Sequence, residues 1–287
     1  MAVVRKTTLV SGCNLHDRLE ALYGRLNRPE YISPDPLQFL SGYPEAADRE
    51  VVGMIASCLA FGNVRQILRS VASVLDRMPA PAEFLDIATR RKLERTFAGF
   101  RHRYVADAEL VDLLLGIKQC RETHGSLEAL FLTGDHAEHE TVLPALERFV
   151  HELASFSRLP ANYLLPDPRR GSACKRLHLF LRWMIRKDSV DPGGWEHISA
   201  ARLIVPLDTH MHRISRALGL TRRNAADMRT ALEVTEAFRA VVPEDPVRYD
   251  FALTRLGIRG DTMGTEFLRE LGQPIRSAGI PKAPSST

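Results

Sequence analysis

The sequence is poor in cysteine, in lysine and in long apolar runs, and each shortage excludes a class of protein. Its four cysteines include no CxxC pair and no spacing typical of a disulfide framework, a zinc site or an iron–sulfur cluster, so we expect reduced thiols and no metal. No apolar run is long enough to span a bilayer, and residues 1–12 lack the apolar segment of a secretory signal. We therefore expect a cytoplasmic protein with no membrane partner.

Lysine is scarce for a basic chain, because only six of the 39 basic residues are lysine while the formal net charge is +4. The planar guanidinium of arginine suits bidentate contacts with phosphate better than the point charge of lysine does. Nucleic-acid binding and GC-rich coding both produce such an arginine excess, and composition alone leaves both explanations open. With 45% apolar residues, the chain can bury one large core or two modest ones.

Apolar residues recur with helical spacing along most of the chain, and no stretch alternates convincingly like a strand. Spacing of i, i+3, i+4 and i+7 predicts helices over 51–59 and 67–75, with a turn near Phe61. Joints rich in proline and glycine separate the helical segments. Similar patterns predict helices over 110–120, 142–156, 172–187, 209–218 and 229–241. The sequence therefore predicts an all-α protein.

The segment GSACKRLHLFLRWMIRK, residues 171–187, carries one of the few lysines near the start of a predicted helix. Ser172 follows a glycine and precedes the apolar pattern, so we predict that it is the N-cap of a helix that begins at Ala173. The apolar side chains then share one face, and Lys175, Arg182 and Arg186 share the opposite face. Most basic faces of this kind are simply solvated.

The residues before this helix offer a second interpretation of the basic face. Arg169, Arg170, Gly171 and Ser172 lie at the predicted N-terminus, where free N–H groups and the helix dipole attract a phosphate. The positive charge of an arginine is slightly repelled by the positive end of the helix dipole, unless an anion lies between them. A DNA backbone would supply that anion.

The segment PLDTHMHRISRALGL, residues 206–220, places an aspartate immediately before another helical pattern. Asp208 is a candidate N-cap, and capping alone would account for its position. His210 and His212 are spaced i, i+2, so they point to different sides of the helix and make a poor pair of metal ligands. We interpret both as ordinary polar histidines.

This segment resembles the one that supplies the catalytic aspartate in the helix-hairpin-helix DNA glycosylase superfamily, which includes endonuclease III and the 8-oxoguanine glycosylases. Together with GSACKRLHLFLRWM and PEDPVRYDFALTRLGI, it is similar to a bacterial family of that superfamily with no assigned function. The resemblance covers about residues 15–271. It implies an all-α fold of two helical lobes with a cleft between them, without an iron–sulfur cluster.

We expect the lobes to divide the chain unevenly. Residues 48–200 form a central lobe that contains an atypical hairpin, and residues 14–47 plus 201–272 form the second lobe. Residues 273–287 contain too few apolar side chains to pack, so we expect a disordered tail. Asp208 would then lie at the cleft.

The resemblance also implies roles for single residues. Asp208 is the catalytic carboxylate, and Lys175 matches the lysine that acts as the nucleophile in bifunctional members. The segment IASCLAFGNVRQIL resembles the loop that inserts a polar wedge where the extruded base has left, and Asn63 and Gln66 are the wedge candidates. The complete set of expected DNA contacts is Asn63, Gln66, Arg169, Arg170, Gly171, Ser172, Arg176 and Arg182. Three of these cations could also help Lys175 lose its proton: Arg169, Arg176 and Arg182.

Two features depart from the superfamily pattern. The approach to Lys175 contains one glycine, Gly171, where the pattern has G-x-G, so we expect a distorted or lengthened hairpin. Lys175 and Asp208 are 33 positions apart, which is longer than usual but is similar to the archaeal 8-oxoguanine branch. By that analogy, the lesion is an oxidised purine.

The resemblance implies a DNA glycosylase, which we expect to act on double-stranded DNA at the nucleoid, as a monomer and without a cofactor. It would extrude a damaged base, cleave its N-glycosidic bond and act as an AP lyase through a Schiff base on Lys175. Two alternatives stay open: a monofunctional glycosylase in which Asp208 activates water, and a DNA-binding module that has lost the chemistry. Four aromatic side chains could stack on a base but are expected in the core: Phe61, Trp183, Tyr249 and Phe251.

Overall fold

The computed structural model describes residues 12–258, and this part of the chain contains twelve α-helices and one short β-hairpin. The predicted all-α class is therefore confirmed. The predicted tail, 273–287, and the end of the predicted second lobe lie outside the described residues. The division into two lobes stays a prediction. Within residues 12–258, no helix is both long and apolar enough to cross a membrane.

The helices differ widely in length. They are α1 (Gly12–Leu26), α2 (Ala46–Cys58), α3 (Val64–Leu75), α4 (Pro81–Ile87), α5 (Arg90–Thr96), α6 (Asp107–His124), α7 (Leu127–Leu132), α8 (Leu143–Ser155), α9 (Lys175–Ile185), α10 (Thr209–Ala217), α11 (Met228–Arg239) and α12 (Asp250–Ile258). Short 3-10 segments cover Pro29–Tyr31, Pro36–Gly42, Pro168–Arg170 and Ala200–Arg202. The hairpin pairs β1 (Arg101–His102) with β2 (Val105–Ala106) in antiparallel register.

Each predicted helical segment overlaps an observed helix, namely α2, α3, α6, α8, α9, α10 or α11. Five observed helices lie outside the segments predicted from helical spacing: α1, α4, α5, α7 and α12. Of these, α4, α5 and α7 have six or seven residues, which hold too few repeats of the helical period to be recognised. The hairpin was also missed, since strands of two residues are too short to alternate.

Side chains at the helix starts explain where several helices begin. Asn63 caps α3 by accepting a hydrogen bond from Arg65 N at 2.9 Å, and Asp227 caps α11 by accepting one from Thr230 N. These short polar side chains satisfy N–H groups that have no partner within the helix. The capped starts of α3, α10 and α11 are therefore local properties of the sequence.

The buried apolar side chains of the described residues form one contiguous core. Helix α6 packs against α4, α5, α7 and α8, while α1 and α10 both pack against α12. Helix α2 packs against α9 and against the 3-10 segment Pro36–Gly42. A side chain at Gly116 in α6 would lie 2.5 Å from Leu153 O, so the close approach of α6 and α8 requires glycine there. This packing brings the starts of α9 and α10 together.

Candidate active site

Helix α9 begins at Lys175, two residues later than predicted, and Ser172 does not cap it. Cys174 occupies the N-cap position without a side-chain capping bond. Ser172 instead forms an isolated β-bridge with Asp227, and Gly171 O accepts a hydrogen bond from Met228 N at 2.9 Å. The bridge holds this stretch in an extended conformation, so the helix cannot begin there. The prediction that Ser172 is the N-cap is wrong.

The residue before the lysine has a strained backbone. Cys174 adopts a left-handed conformation with φ of 44°, which costs a residue with a Cβ atom about 1–3 kcal/mol. The conformation is held because Cys174 O accepts hydrogen bonds from Leu177 N at 2.9 Å and from His178 N at 3.2 Å. Strain of this kind clusters at functional sites. Here it sets the direction in which the chain enters α9 and presents Lys175.

Asp208 is the N-cap of α10, as predicted. Its Oδ1 atom accepts hydrogen bonds from His210 N at 2.9 Å and from Met211 N at 2.7 Å. Its Oδ2 atom lies 2.9 Å from Lys175 Nζ. One carboxylate therefore caps a helix with one oxygen and pairs with an amine through the other.

The Lys175–Asp208 pair is only partly shielded from solvent, since the two side chains are 33% and 29% exposed. Burial raises the pKa of Asp208, but the Lys175 ammonium and the N–H groups of Met211 and His210 together lower it further, so the net pKa lies below the usual value. The carboxylate is thus ionised at neutral pH. The structure brings together the two residues that the sequence predicted to be catalytic, although 33 positions separate them.

The pair lies in the wall of a cavity of about 220 Å³. This volume is below the roughly 300 Å³ at which pockets begin to take drug-sized ligands, so the cavity suits a smaller group. Gly62, from the loop before α3, closes one side. His210 also lines the cavity, and its Nδ1 atom lies 3.0 Å from Arg213 Nη2.

Arg182 and Arg186 do not form an exposed basic face on α9, and that prediction is wrong. Their side chains are 4% and 3% exposed. Arg182 pairs with Asp250 and, through Nη2 at 3.1 Å, with Asp191. Arg186 pairs with Asp191 and, through Nε at 2.9 Å, with Asp245. Asp191, which follows α9 closely, and the more distant Asp245 and Asp250 cover this face, so Arg182 is not at the surface to meet a DNA phosphate.

Asp250 is a cavity residue that the sequence analysis did not single out. It is the first residue of α12 and is 4% exposed. One oxygen pairs with Arg182, whereas Oδ1 has no hydrogen-bond partner among the described residues. Burial raises the pKa of Asp250, although Arg182 opposes the change. Its signal in the sequence is a lone acidic residue in the apolar run YDFAL.

The arginines predicted to contact DNA beside α9 differ in exposure and in their hydrogen-bond partners. Arg169 and Arg170 are exposed, and Arg169 Nε pairs with Asp167 at 2.9 Å. Arg176 is held internally, because its guanidinium donates to Cys58 O and to Tyr163 O, both at 2.6 Å. Arg176 therefore has a structural role that the sequence did not reveal, and it is not a free cation beside Lys175.

The two wedge candidates lie on the surface next to the cavity. Asn63 follows Gly62 of the cavity wall, and Gln66 lies in the first turn of α3. Both side chains are exposed. Asn63 also caps α3, so capping already accounts for part of its role.

The remaining predictions concern aromatic rings, histidines and thiols. Trp183, Tyr249 and Phe251 are buried in the core as expected, whereas Phe61 is half-buried. Within the described part of the chain, no group of three or more histidine, cysteine or acidic side chains could hold a metal ion. Burial raises the pKa values of three free thiols to about 11 or 12, so they are protonated at neutral pH: Cys58, Cys120 and Cys174.

Comparison with known proteins gives one match. A family model described as "Protein of unknown function (DUF2400)" matches residues 35–259, which is more than half of the chain. No curated protein and no solved structure matches the chain.

Proposed function

The chain belongs to the DUF2400 family, and we propose that it is a DNA glycosylase that cleaves the N-glycosidic bond of a damaged base. The observation that carries the proposal is the 2.9 Å contact between Lys175 Nζ and Asp208 Oδ2 at the edge of a cavity. The two residues start neighbouring helices, α9 and α10. An amine and an ionised carboxylate held together at a cavity are the two groups that base excision with a covalent intermediate requires.

The carboxylate suits the first part of the reaction. Positive charge develops on the sugar as the bond to the base breaks, and an ionised carboxylate near C1′ stabilises that charge. Asp208 is ionised at neutral pH because its pKa is lowered. Its position is fixed by the two N–H groups that it caps, so it requires little reorganisation during the reaction.

Lys175 suits the second part, provided that its ammonium first gives up a proton. Asp208 is the nearest acceptor on the described residues. The neutral amine attacks C1′, the glycosidic electron pair leaves with the base, and the base takes up the proton that Asp208 accepted from Lys175. The sugar ring then opens to give a Schiff base with Lys175, from which β-elimination cleaves the 3′ phosphate ester.

The DNA backbone would lie along the segments that meet at the Ser172–Asp227 bridge. Arg170, Arg222 and Arg229 are exposed on these segments. Exposed guanidinium groups can bind phosphates, and such binding weakens steeply as salt concentration rises. The damaged base would enter the cavity beside Lys175. By analogy with the long lysine-to-aspartate spacing, we propose an oxidised purine as the lesion.

A monofunctional glycosylase is the second candidate, and the ion pair itself favours it. In the structure the Lys175 amine lies in direct contact with a carboxylate, as expected for a lysine that only positions Asp208 and balances its charge. Asp208 would then activate a water molecule. A DNA-binding module without chemistry is the third, and it would bind DNA without releasing a base.

Borohydride trapping on a panel of damaged duplexes tests these mechanisms. The panel should include 8-oxoguanine, other oxidised purines and abasic sites. Wild type should form a covalent complex that Lys175→Gln does not form, and Lys187→Gln is the matched control because Lys187 is exposed just after the same helix. Base release by Lys175→Gln without trapping by wild type would assign the monofunctional mechanism. No base release from any duplex would reject the glycosylase proposal.

A further inference from the structure

Two exposed tyrosines from distant segments meet on the surface near the cavity. Among the described residues, Tyr104 and Tyr163 are two of three large apolar side chains that are exposed, at 51% and 46%. Their ring centroids lie 4.5 Å apart in an edge-to-face arrangement. Tyr104 comes from the tip of the β1–β2 hairpin, and Tyr163 comes from the loop between α8 and α9. Exposed aromatic rings that pack on each other are candidates for binding a ligand.

Contacts with Phe61 and Arg176 hold the two rings in place. Phe61 lies beneath both, with centroid distances of 5.6 Å to Tyr104 and 5.1 Å to Tyr163. The Arg176 guanidinium lies 4.8 Å from the Tyr163 ring centre and 5.0 Å from the Phe61 ring centre. We call Phe61, Tyr104, Tyr163, Arg103 and Arg176 the tyrosine platform.

The hairpin that carries Tyr104 is anchored through His102. Burial lowers the pKa of His102, so its ring is neutral at pH 7. The ring donates from Nε2 to Phe61 O at 3.1 Å and accepts at Nδ1 from Ser70 Oγ at 2.8 Å. The platform is therefore built on α3 and on the loop before it, and its rings are fixed before any ligand arrives.

Backbone strain places an arginine at the edge of the platform. Arg103 adopts φ of 56°, which is unfavourable for a residue with a side chain. Its guanidinium carbon lies 5.8 Å from the Tyr104 ring centre. Its side chain also covers Gly62, where an added Cβ would lie 2.8 Å from Arg103 Cδ. A glycine at position 103 would avoid the strain but would remove the cation.

Neighbouring residues of two segments divide between the platform and the cavity. Lys175 faces the cavity, while the next residue of α9, Arg176, belongs to the platform. Successive residues of a helix point about 100° apart, which explains this division. In the loop before α3, Phe61 belongs to the platform and Gly62 lines the cavity. The cavity and the platform are therefore adjacent, so a polymer ligand in the cavity can place a neighbouring group on the platform.

The charge beside the platform complements phosphate. A groove of about 500 Å³ runs along Tyr163 and is lined by Arg169, Arg170 and Arg176. Two acidic residues also line this groove: Asp167, which is paired with Arg169, and Glu109, which accepts a hydrogen bond from Ala106 N at 3.0 Å. Exposed aromatic faces flanked by guanidinium groups are the combination that binds an unpaired nucleobase and its phosphates.

We propose that the tyrosine platform stacks a second unpaired nucleobase of the DNA while the cavity holds the first. This inference rests on DNA being the ligand, as the proposed function requires, but it does not require base excision. The second base comes either from the opposite strand, where extrusion leaves it without a partner, or from a flanking single-stranded stretch. Stacking recognises the same flat face in both cases.

Binding to undamaged oligonucleotides tests the proposal. The probes are a fully paired duplex, a duplex with one mismatch and a single strand, each with 2-aminopurine as reporter in the central position. The variants are Tyr104→Ala, the ring-retaining control Tyr104→Phe, and Arg103→Gly, which removes the guanidinium and relieves the strain at φ of 56°. Tyr104 is half exposed, so its replacement leaves the core intact. Thermal unfolding verifies that each variant is folded.

We expect Tyr104→Ala to bind the single strand or the mismatched duplex about 5- to 150-fold more weakly than wild type, and to quench 2-aminopurine less. Tyr104→Phe should bind like wild type, and Arg103→Gly should bind more weakly while unfolding at the same temperature or higher. An effect on the mismatched duplex identifies the opposite strand as the source, and an effect confined to the single strand identifies a flanking base.

Equal affinity of Tyr104→Ala and wild type for both unpaired probes would overturn the proposal. An equal loss of affinity for the fully paired duplex would also overturn it, because the platform would then be a general backbone contact. Neither result bears on excision, which is measured on damaged DNA with Lys175 and Asp208 variants. Absence of excision together with platform-dependent binding would reject the glycosylase and keep the platform.

Discussion

Asp208→Asn separates the chemical role of this residue from its structural role. Asparagine ranks with aspartate as an N-cap, so its side-chain oxygen can still accept the bonds from His210 N and Met211 N. The variant loses the negative charge that faces Lys175. It should therefore keep α10 capped and lose the group that stabilises charge on the sugar.

The expected loss of stability is small. The ion pair with Lys175 is about one-third exposed, and pairs of this kind contribute at most about 1 kcal/mol. For a chain of this size, a loss of that amount lowers Tm by about 2–4 °C. Asp208→Ala removes the cap as well, which adds about 0.5–2 kcal/mol to the loss. Thermal and urea unfolding of both variants measure the difference.

The expected loss of activity is large. Groups that act directly on the reacting centre contribute about 100- to 10,000-fold to rate. Single-turnover base release by Asp208→Asn should therefore fall at least about 100-fold on whichever duplex the wild type cleaves. Asp208→Asn with wild-type activity would refute the catalytic role. A variant as unstable as Asp208→Ala would refute the separation of the two roles.

The pH dependence of stability gives an independent measurement of the pair. The pKa of Asp208 is lower in the folded state than in the unfolded state, where an aspartate titrates at about pH 4. The negative charge of Asp208 therefore stabilises the fold fully above about pH 4. This contribution is lost as the pH falls from there through the lower folded-state pKa. The difference in unfolding free energy between wild type and Asp208→Asn should therefore shrink in acid. A difference that stays constant from pH 7 to pH 3 would contradict the lowered pKa.

Three further predictions concern α9. Lys175→Gln should abolish borohydride trapping, and a trapped complex with this variant would show that another amine is the nucleophile. Arg182→Leu leaves Asp250 without an ion-pair partner in the interior and leaves Asp191 with Arg186 alone. Urea unfolding should therefore show a loss of about 3–5 kcal/mol, and a loss below about 1 kcal/mol would contradict the burial argument. Burial lowers the pKa of His178 from 6.5 to about 4. As the pH drops, His178 of the unfolded state therefore takes up a proton before His178 of the folded state does. The unfolding free energy of wild type should fall by up to about 3 kcal/mol between pH 6.5 and pH 4. His178→Leu should lack this pH dependence, and the same dependence in both proteins would rule out His178 as its source.

The sequence alone determined the helical class and the features that depend on neighbouring residues. An amphipathic repeat and a polar residue before it are local signals, so the α10 cap at Asp208 could be recognised from a few residues. The start of α9 could not be recognised in this way. Ser172 has the local features of a cap, but Asp227 pairs with its backbone from 55 residues away and holds it extended.

Tertiary structure decided which polar side chains meet water, which meet one another and which line the cavity. Helical periodicity separates a polar face from an apolar face, but it does not reveal what covers the polar face. Arg182 and Arg186 lie on the polar face of α9, and aspartates from other segments bury them. The same packing set Lys175 against Asp208 and joined Tyr104 to Tyr163. These contacts join residues of different structural elements, and helical periodicity describes only the faces of a single element, so it does not reveal them.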